Sequence, residues 1–263
     1  MTVINAALVL LAGVAAGAMN AVVGAGTLIT FPTLVALGVP PVLANVSNTV
    51  GLVPGSVAGA YAFRATLAGR GPLLVRLVAA SAVGGVLGGA LLLVLPAGAF
   101  ELVVPLLLLL SGALAAAQPR VAAAVARRRV TAAVDSDRSS GPPAAVRAGP
   151  WLLAGVAATG VYGGYFGAAQ GVILLALLGI FIEGEMTEVN GIKNVLAGVA
   201  NLVSSLLFIA IADVDWQLAA LIAVGSTIGG SLGGRYGRRL PAGALRALVV
   251  AVAVLAAIWQ FTR

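Results

Sequence analysis

Gly84-Gly85-Val86-Leu87-Gly88-Gly89 and, 145 residues later, Gly229-Gly230-Ser231-Leu232-Gly233-Gly234 are one motif written twice. Leu95-Pro96-Ala97-Gly98-Ala99 returns in the same way as Leu240-Pro241-Ala242-Gly243-Ala244. From about Gly26 onward the offset holds, and it carries the polar set Asn45, Asn48, Thr49, Ser56 onto Asn190, Lys193, Asn194, Asn201. The chain therefore reads as a first repeat, 1–117, a basic linker, 118–149, and a second repeat, 150–263.

What the repeats are made of sets the environment. Of the 263 residues 61% are hydrophobic and only 9% charged, with a mean hydropathy of +1.11. A soluble domain carries about a quarter charged residues. The composition is that of an all-α polytopic membrane protein embedded in a lipid bilayer. The net charge of +7 does not suggest a nucleic-acid partner. The arginines cluster between apolar runs, as in cytoplasmic loops, and no basic patch is interleaved with aromatic rings. The absence of Cys and His excludes disulfides, thiol nucleophiles, Ser-His-Asp catalysis and the usual zinc and haem sites. No paired aspartates lie inside apolar runs, so the chain does not read as an enzyme and no cofactor is expected. No basic residue precedes the first apolar run, so that run is expected to stay as a helix rather than leave as a signal peptide.

A helix needs roughly 20 apolar residues to cross the hydrocarbon. Eight regions qualify or nearly qualify: about 4–37, 42–62, 73–95, 100–117, 150–181, 189–212, 217–234 and 242–261. The first and fifth are too long for one span. Each is interrupted by small or polar residues, Asn20 to Thr30 and Tyr162 to Gly171, and is expected to be a broken helix or hairpin. Irregular backbone at that depth survives only when buried in protein or lining a cavity. The linker holds Arg120, Arg127, Arg128 and Arg129 and then a Pro- and Ser-rich stretch from Asp135 to Pro143, and is expected to be cytoplasmic and partly disordered.

Loop charges orient the repeats. Arg64, Arg70 and Arg76 place the loop between the second and third regions inside. Its counterpart carries Asp213 and Asp215 and no Lys or Arg, and is expected outside. Pro96 to Glu101 is acidic and expected outside, whereas its counterpart carries Arg235, Arg238 and Arg239 and is expected inside. Equivalent loops have changed sides, which is what an inverted-topology repeat requires. Both termini then fall outside, provided the first and fifth regions each return to the side they entered from.

The polar set supplies chemistry. Asn190, Lys193, Asn194 and Asn201 are spaced i, i+3, i+4, i+11, on one face of a helix, and Asn45, Asn48, Thr49 and Ser56 repeat the pattern. Lys193 is the only lysine and lies inside an apolar stretch. An ionisable residue there suggests a function, here the attraction of an anion. Snorkelling, or pairing with Glu188 or Glu185, is the alternative, and the asparagines could equally be hydrogen-bonding glue between helices. Glu188 reads either as a titrating group or as a surface carboxylate beside Glu183. The helix breaks at Gly24-Ala25-Gly26-Thr27 and Gly167-Ala168-Ala169-Gln170-Gly171 would expose N–H groups that attract anions. Thr27 and Gln170 add donors, Asn20 stands beside the first break, and Tyr162 and Tyr165 could gate or bond a ligand. Close helix packing is the competing reading of these glycines. Packing also explains the Gly-Gly-x-x-Gly-Gly motifs, which lack the Lys and hydroxyl of a phosphate loop.

Gly17-Ala-Met-Asn20-Ala-Val-Val-Gly24-Ala-Gly26-Thr-Leu-Ile-Thr-Phe31-Pro32-Thr-Leu34, with Gly38-Val-Pro40 and Ala44-Asn45-Val-Ser-Asn48-Thr49, resembles the sulfite exporter TauE/SafE family of membrane permeases. Gly163-Gly-Tyr-Phe-Gly167-Ala-Ala-Gln-Gly171 and Asn190-Gly-Ile-Lys193-Asn194 resemble that family's second repeat. The similarity spans nearly the whole chain outside the linker. It implies a bacterial-type inner-membrane protein that moves small anions, typically sulfite, sulfonates or related organosulfur compounds. It also implies that the family's Lys-Asn pattern falls on Lys193 and Asn194.

The expectation is thus a secondary transporter working by alternating access, with its site between the repeats. Lys193, Asn194, Asn190, Asn48, Asn45, Thr49, Asn20, Thr27, Gln170 and Tyr162 are the candidate binding residues. No ATP-binding motif is present. An inside-negative potential favours anion efflux by about 2.3 kcal/mol per charge per 100 mV, whereas uptake needs coupling to H⁺ or Na⁺. An anion channel, or the membrane subunit of a larger complex, is the alternative, and the sequence leaves a homodimer open.

Overall fold

The computed structural model describes residues 1–138, 149–182, 185–236 and 242–261. Glu183, Arg238, Arg239 and linker residues 139–148, used above to orient the chain, lie outside the described residues. Among the described residues the eight apolar regions become ten α-helices: α1 (Val3–Val22), α2 (Thr27–Ala36), α3 (Pro41–Ala62), α4 (Gly71–Val94), α5 (Ala97–Arg138), α6 (Pro150–Tyr165), α7 (Gln170–Phe181), α8 (Met186–Ile211), α9 (Trp216–Tyr236) and α10 (Ala242–Phe261). A single 3-10 turn at Arg64–Leu67 joins α3 to α4, and no strand occurs among the described residues. Five helices, α1, α4, α5, α8 and α9, are long and apolar enough to cross a membrane, and α2 and α7 are shorter apolar helices.

The two long regions break where the sequence suggested, and by the same device. Val23 N and Gly24 N both donate to Met19 O, and 143 residues later Phe166 N and Gly167 N both donate to Tyr162 O. Gly24 (φ 82°) and Gly167 (φ 75°) then turn left-handed, which stops each helix at little steric cost. The equivalence is 143 at the breaks and 145 beyond them because α7 has 12 residues where α2 has 10.

One element departs from expectation. The linker was expected to begin at 118, but α5 runs on through Pro119 to Arg138. Residues 113–133 are mostly Ala, Val, Leu and Arg. Their helix propensity outweighs one proline, whose cost is a single lost backbone bond and a kink. At 1.5 Å per residue α5 is about 63 Å long, so its last turns project beyond a bilayer core of about 30 Å.

The glycine doublets explain the packing. Gly84 and Gly88 lie against Ala157 and Val161 of α6, while Gly85 and Gly89 lie against Ala200 and Ser204 of α8. Adjacent residues on a helix point about 100° apart, so each doublet serves two neighbours. In the second repeat Gly225, Gly229 and Gly233 meet Leu10, Val14 and Ala18 of α1, and Gly230 meets Gly55 of α3. These registers make α1 and α3 both parallel to α9, and α6 and α8 both parallel to α4. Because α1 and α3 run the same way, α2 between them runs back, and α7 does likewise between α6 and α8. Gly198 packs on Ser56 and Gly191 on Phe63, so α3 and its equivalent α8 are antiparallel.

The halves are consequently interwoven. One bundle is α1, α3 and α9; the other is α6, α8 and α4. Each borrows a helix from the opposite repeat, and α5 packs on α10 beside them. Two apolar cores lie among the described residues, and the first also takes in Leu92, Tyr165 and Phe208 from the second bundle. One is centred on α1, α2, α3 and the start of α5, the other on Leu77, Leu152, Leu174, Ile192 and their neighbours. A side chain at Gly88 would meet the Val161 carbonyl, so Gly88→Val should prevent folding. The check is monodispersity and thermal melting in detergent. Gly98→Val, which faces open space, should leave both unchanged.

Candidate functional site

The polar stripe of α8 reaches the broken end of α1. Where α1 stops, its last carbonyls have no helical partner. Lys193 Nζ donates to Ala21 O and Val22 O, both at 3.4 Å, and Asn194 Nδ2 donates to Ala21 O at 3.2 Å. A cation suits this end because the helix dipole is negative there. The Lys193 side chain is 1% exposed. Its pairing with Glu188 or Glu185 is not seen. Glu188 forms an ion pair with Arg70 (Nε–Oε1 2.5 Å), and Glu185 accepts the Thr187 hydroxyl at 3.0 Å. Among the described residues the buried Lys193 amine thus meets backbone carbonyls and no carboxylate.

The stripe of α3 does the equivalent at the other break. Asn45 Nδ2 donates to Tyr165 O at 2.9 Å, at the end of α6. The Thr30 hydroxyl, from α2, donates to Asn48 Oδ1, and the Thr49 hydroxyl donates to Asn45 O at 2.8 Å within its own helix. Each stripe therefore grips the broken helix of the opposite repeat. Asn45 Oδ1 and Asn48 Nδ2 are buried and have no hydrogen-bond partner among the described residues.

The breaks themselves cross. Gly171 N donates to Gly24 O at 3.1 Å, and neither residue has room for a Cβ against the other. That amide, expected to be open to an anion, is used in holding the two hairpins together. Thr27 is buried at the start of α2. Asn20 Nδ2 donates to Ser56 Oγ at 3.2 Å and links α1 to α3. Gln170 turns towards α6, with Nε2 3.4 Å from Thr159 O and its amide against Gly163. The Tyr162 hydroxyl donates to Ala168 O at 2.6 Å and lies 2.7 Å from Ser111 Oγ. Gln170 and Tyr162 are thereby engaged in shaping the second hairpin, whereas Lys193, Asn194 and Asn190 converge on the end of α1.

A cavity of about 510 Å³ opens beside that end. Ala21 and Val22, whose carbonyls hold Lys193, form part of its wall, together with Asn190, Thr66, Thr187, Gln118 and Arg235. Its volume lies in the range of small-molecule sites. Among the described residues that line it, Arg235 is the one that carries a charge. Asn190 Nδ2 bonds Met186 O at 3.0 Å in its own helix and leaves the rest of its amide at the cavity. Gln118 reaches the cavity because α5 continues past 117; no pattern in the sequence signalled that. Thr30 and Ser111 were also missed, since an isolated hydroxyl in an apolar run carries no spacing signal.

Comparison with known proteins adds one finding of identity. No curated protein and no solved structure matches the chain. The family model of sulfite exporter TauE/SafE matches residues 9–259, covering both breaks, both stripes and both glycine motifs. With its apolar helices and interwoven halves, the chain is a multi-pass membrane protein that belongs to the sulfite exporter TauE/SafE family of permeases.

Proposed function

We propose that this protein is a secondary transporter of small anions, sulfite, sulfonates or related organosulfur compounds, that works by alternating access in the inner cell membrane. The observation that carries this is Lys193: a buried amine with no carboxylate partner among the described residues, held by Ala21 and Val22, which wall a cavity of small-molecule size. Burying a charge costs several kcal/mol unless it is compensated, and two long carbonyl contacts compensate it only in part. A small anion is the complement that site lacks. Asn194 and Asn190 add amide donors beside it, and Asn45, Asn48 and Thr49 form the equivalent set on α3.

The cavity opens at the end of the molecule that carries Arg64, Arg70 and Arg235, which the positive-inside rule places in the cytoplasm together with the linker. Antiparallel α3 and α8 support an inverted repeat with its axis in the membrane plane. The rocking units are then the mixed bundles α1–α3–α9 and α4–α6–α8, not the sequence halves. The bonds from Lys193 of α8 to α1 and from Asn45 of α3 to α6 are ties across those bundles, one towards each end. The membrane potential drives an anion outward, so export needs no coupled ion.

Counterflow of labelled sulfite in proteoliposomes, competed by small sulfonates and carboxylates, tests the proposal. Saturable counterflow with sulfonates outcompeting carboxylates is expected. Unsaturable flux without counterflow would indicate a channel instead. Arg235 at the cavity mouth should draw anions in electrostatically. Arg235→Gln is expected to raise KM about 3- to 10-fold from the cavity side alone, without changing kcat, and to flatten the salt dependence of KM. Sided uptake at two ionic strengths measures it.

A further inference from the structure

Positions equivalent under the repeat should have equivalent surroundings, and at one pair they do not. Asn190 of α8 is half-buried and borders the cavity. Its equivalent on α3, Asn45, has 0% exposure. Beside Asn45 four rings from three places in the chain pack together. Phe31 comes from α2, Phe100 from the first turn of α5, and Tyr165 and Phe166 from the break after α6. Phe100 is the hub, edge-on to Phe31 (centroids 6.4 Å), Tyr165 (5.6 Å) and Phe166 (6.2 Å), while Phe31 meets Phe166 at 5.2 Å. The positions equivalent to Phe31, Phe100, Tyr165 and Phe166 are Leu174, Leu245, Val22 and Val23. Val22 lines the open cavity. At these four positions the duplication has therefore diverged in one direction, aromatic on the Asn45 side and aliphatic on the Asn190 side.

A second observation lies against the rings. Tyr165, one of the four, supplies the carbonyl that Asn45 holds, and next to it the unpaired Asn45 Oδ1 and Asn48 Nδ2 are sealed from solvent. Buried polar atoms almost always find a partner. Two atoms with bonding capacity left over, one turn apart on one helix face, mark a polar face that the packed rings adjoin. They meet water or a ligand when the rings part. Tyr165 and Phe166 belong to the end of α6, in one bundle, whereas Asn45 belongs to α3, in the other. Relative movement of the bundles separates the rings and exposes the stripe together.

We infer that Phe31, Phe100, Tyr165 and Phe166 form the gate at the end opposite the arginines, and that the structure is the state with this gate closed and the cavity open. The identity of what passes rests on the transport reading above; the gate does not.

The chain has no cysteine, so single thiols report access cleanly. Thr49→Cys, a near-isosteric change behind the rings, and Asn190→Cys, in the cavity, would each be treated with a membrane-impermeant methanethiosulfonate from one side of sealed vesicles at a time. With the rings intact, Asn190→Cys should react from the arginine side and Thr49→Cys should resist reagent from the opposite side. Adding Phe100→Ala should accelerate the Thr49→Cys reaction from that opposite side at least tenfold. Reaction of Asn190→Cys in the Phe100→Ala background reports that the protein is folded. If it is not, Phe31→Leu takes the place of Phe100→Ala, with the same expected acceleration. Rapid reaction of Thr49→Cys from the opposite side with all four rings present overturns the gate. So does an unchanged rate in a folded ring variant. Acceleration without counterflow of any anion would leave the gate standing and remove the proposed substrate class.

Discussion

Lys193→Met is expected to reduce saturable anion counterflow by about 30-fold or more, without lowering thermal stability. The two halves of that expectation come from one geometry. Removing one member of a buried charge pair weakens binding by on the order of 2–5 kcal/mol, which corresponds to about 30-fold at the low end and over 1000-fold at the high end. The empty protein, by contrast, loses only two 3.4 Å bonds to Ala21 O and Val22 O and is relieved of a buried amine. Replacing buried ionic groups by apolar ones of similar volume is often neutral or stabilising. Methionine matches the lysine stem and suits irregular gaps. If Lys193 served only to close the end of α1, the variant would melt lower and the remaining protein would still transport. Paired melting curves and counterflow rates separate these outcomes. Lys193→Arg should retain part of the activity, because the charge stays while the fit to two carbonyls worsens.

Gly171→Val is expected to remove the folded protein altogether. Gly171 and Gly24 touch backbone to backbone where the two hairpins cross, and their only bond, Gly171 N to Gly24 O at 3.1 Å, requires that contact. An inserted side chain has backbone, not a movable side-chain tip, in its way. Overpacking of that kind costs typically 1–3 kcal/mol where neighbours can shift and more where they cannot, and membrane-protein breaks depend on each other for hydrogen-bond partners. Gly24→Ala adds a left-handed residue with a Cβ, about 1 kcal/mol of backbone cost on top of the collision. Expression level and size-exclusion profile in detergent are the measurements. Gly38→Ala serves as a control: it has the same positive φ but open space around it, and should cost only the backbone strain.

Much of this architecture is written in the sequence at the level of single helices. The breaks at 23–26 and 166–169 were legible because glycine and alanine interrupt runs too long for one span. The two stripes were legible because i, i+3, i+4 spacing fixes a helix face whatever the tertiary fold. The glycine motifs were rightly read as packing surfaces, yet nothing in them names the partner. Gly88 fits any small-residue groove, and only the structure shows α6 in it. That is why the interweaving, with α1 on α9 and α4 on α6, was invisible.

The same limit applies within the site. Lys193 and Asn194 were singled out correctly as facing inward, but what they face is the end of a helix 170 residues away in the chain, a carbonyl that carries no side-chain signature. Tyr162 and Gln170 stood in the right segment, but their polar groups turned to local carbonyls, since a broken helix creates orphan acceptors that nearby donors satisfy first. The end of α5 was misjudged because proline and arginine read as loop, whereas the alanines between them favour helix.

The central claim is that an anion binds at Lys193. Calorimetric titration of the purified protein with sulfite and with a small alkyl sulfonate, as sodium salts, against Lys193→Met under identical conditions tests it most directly. The account predicts one saturable site in the unaltered protein and none in the variant. Equal binding by both proteins would contradict it and leave Lys193 as a structural cap on α1.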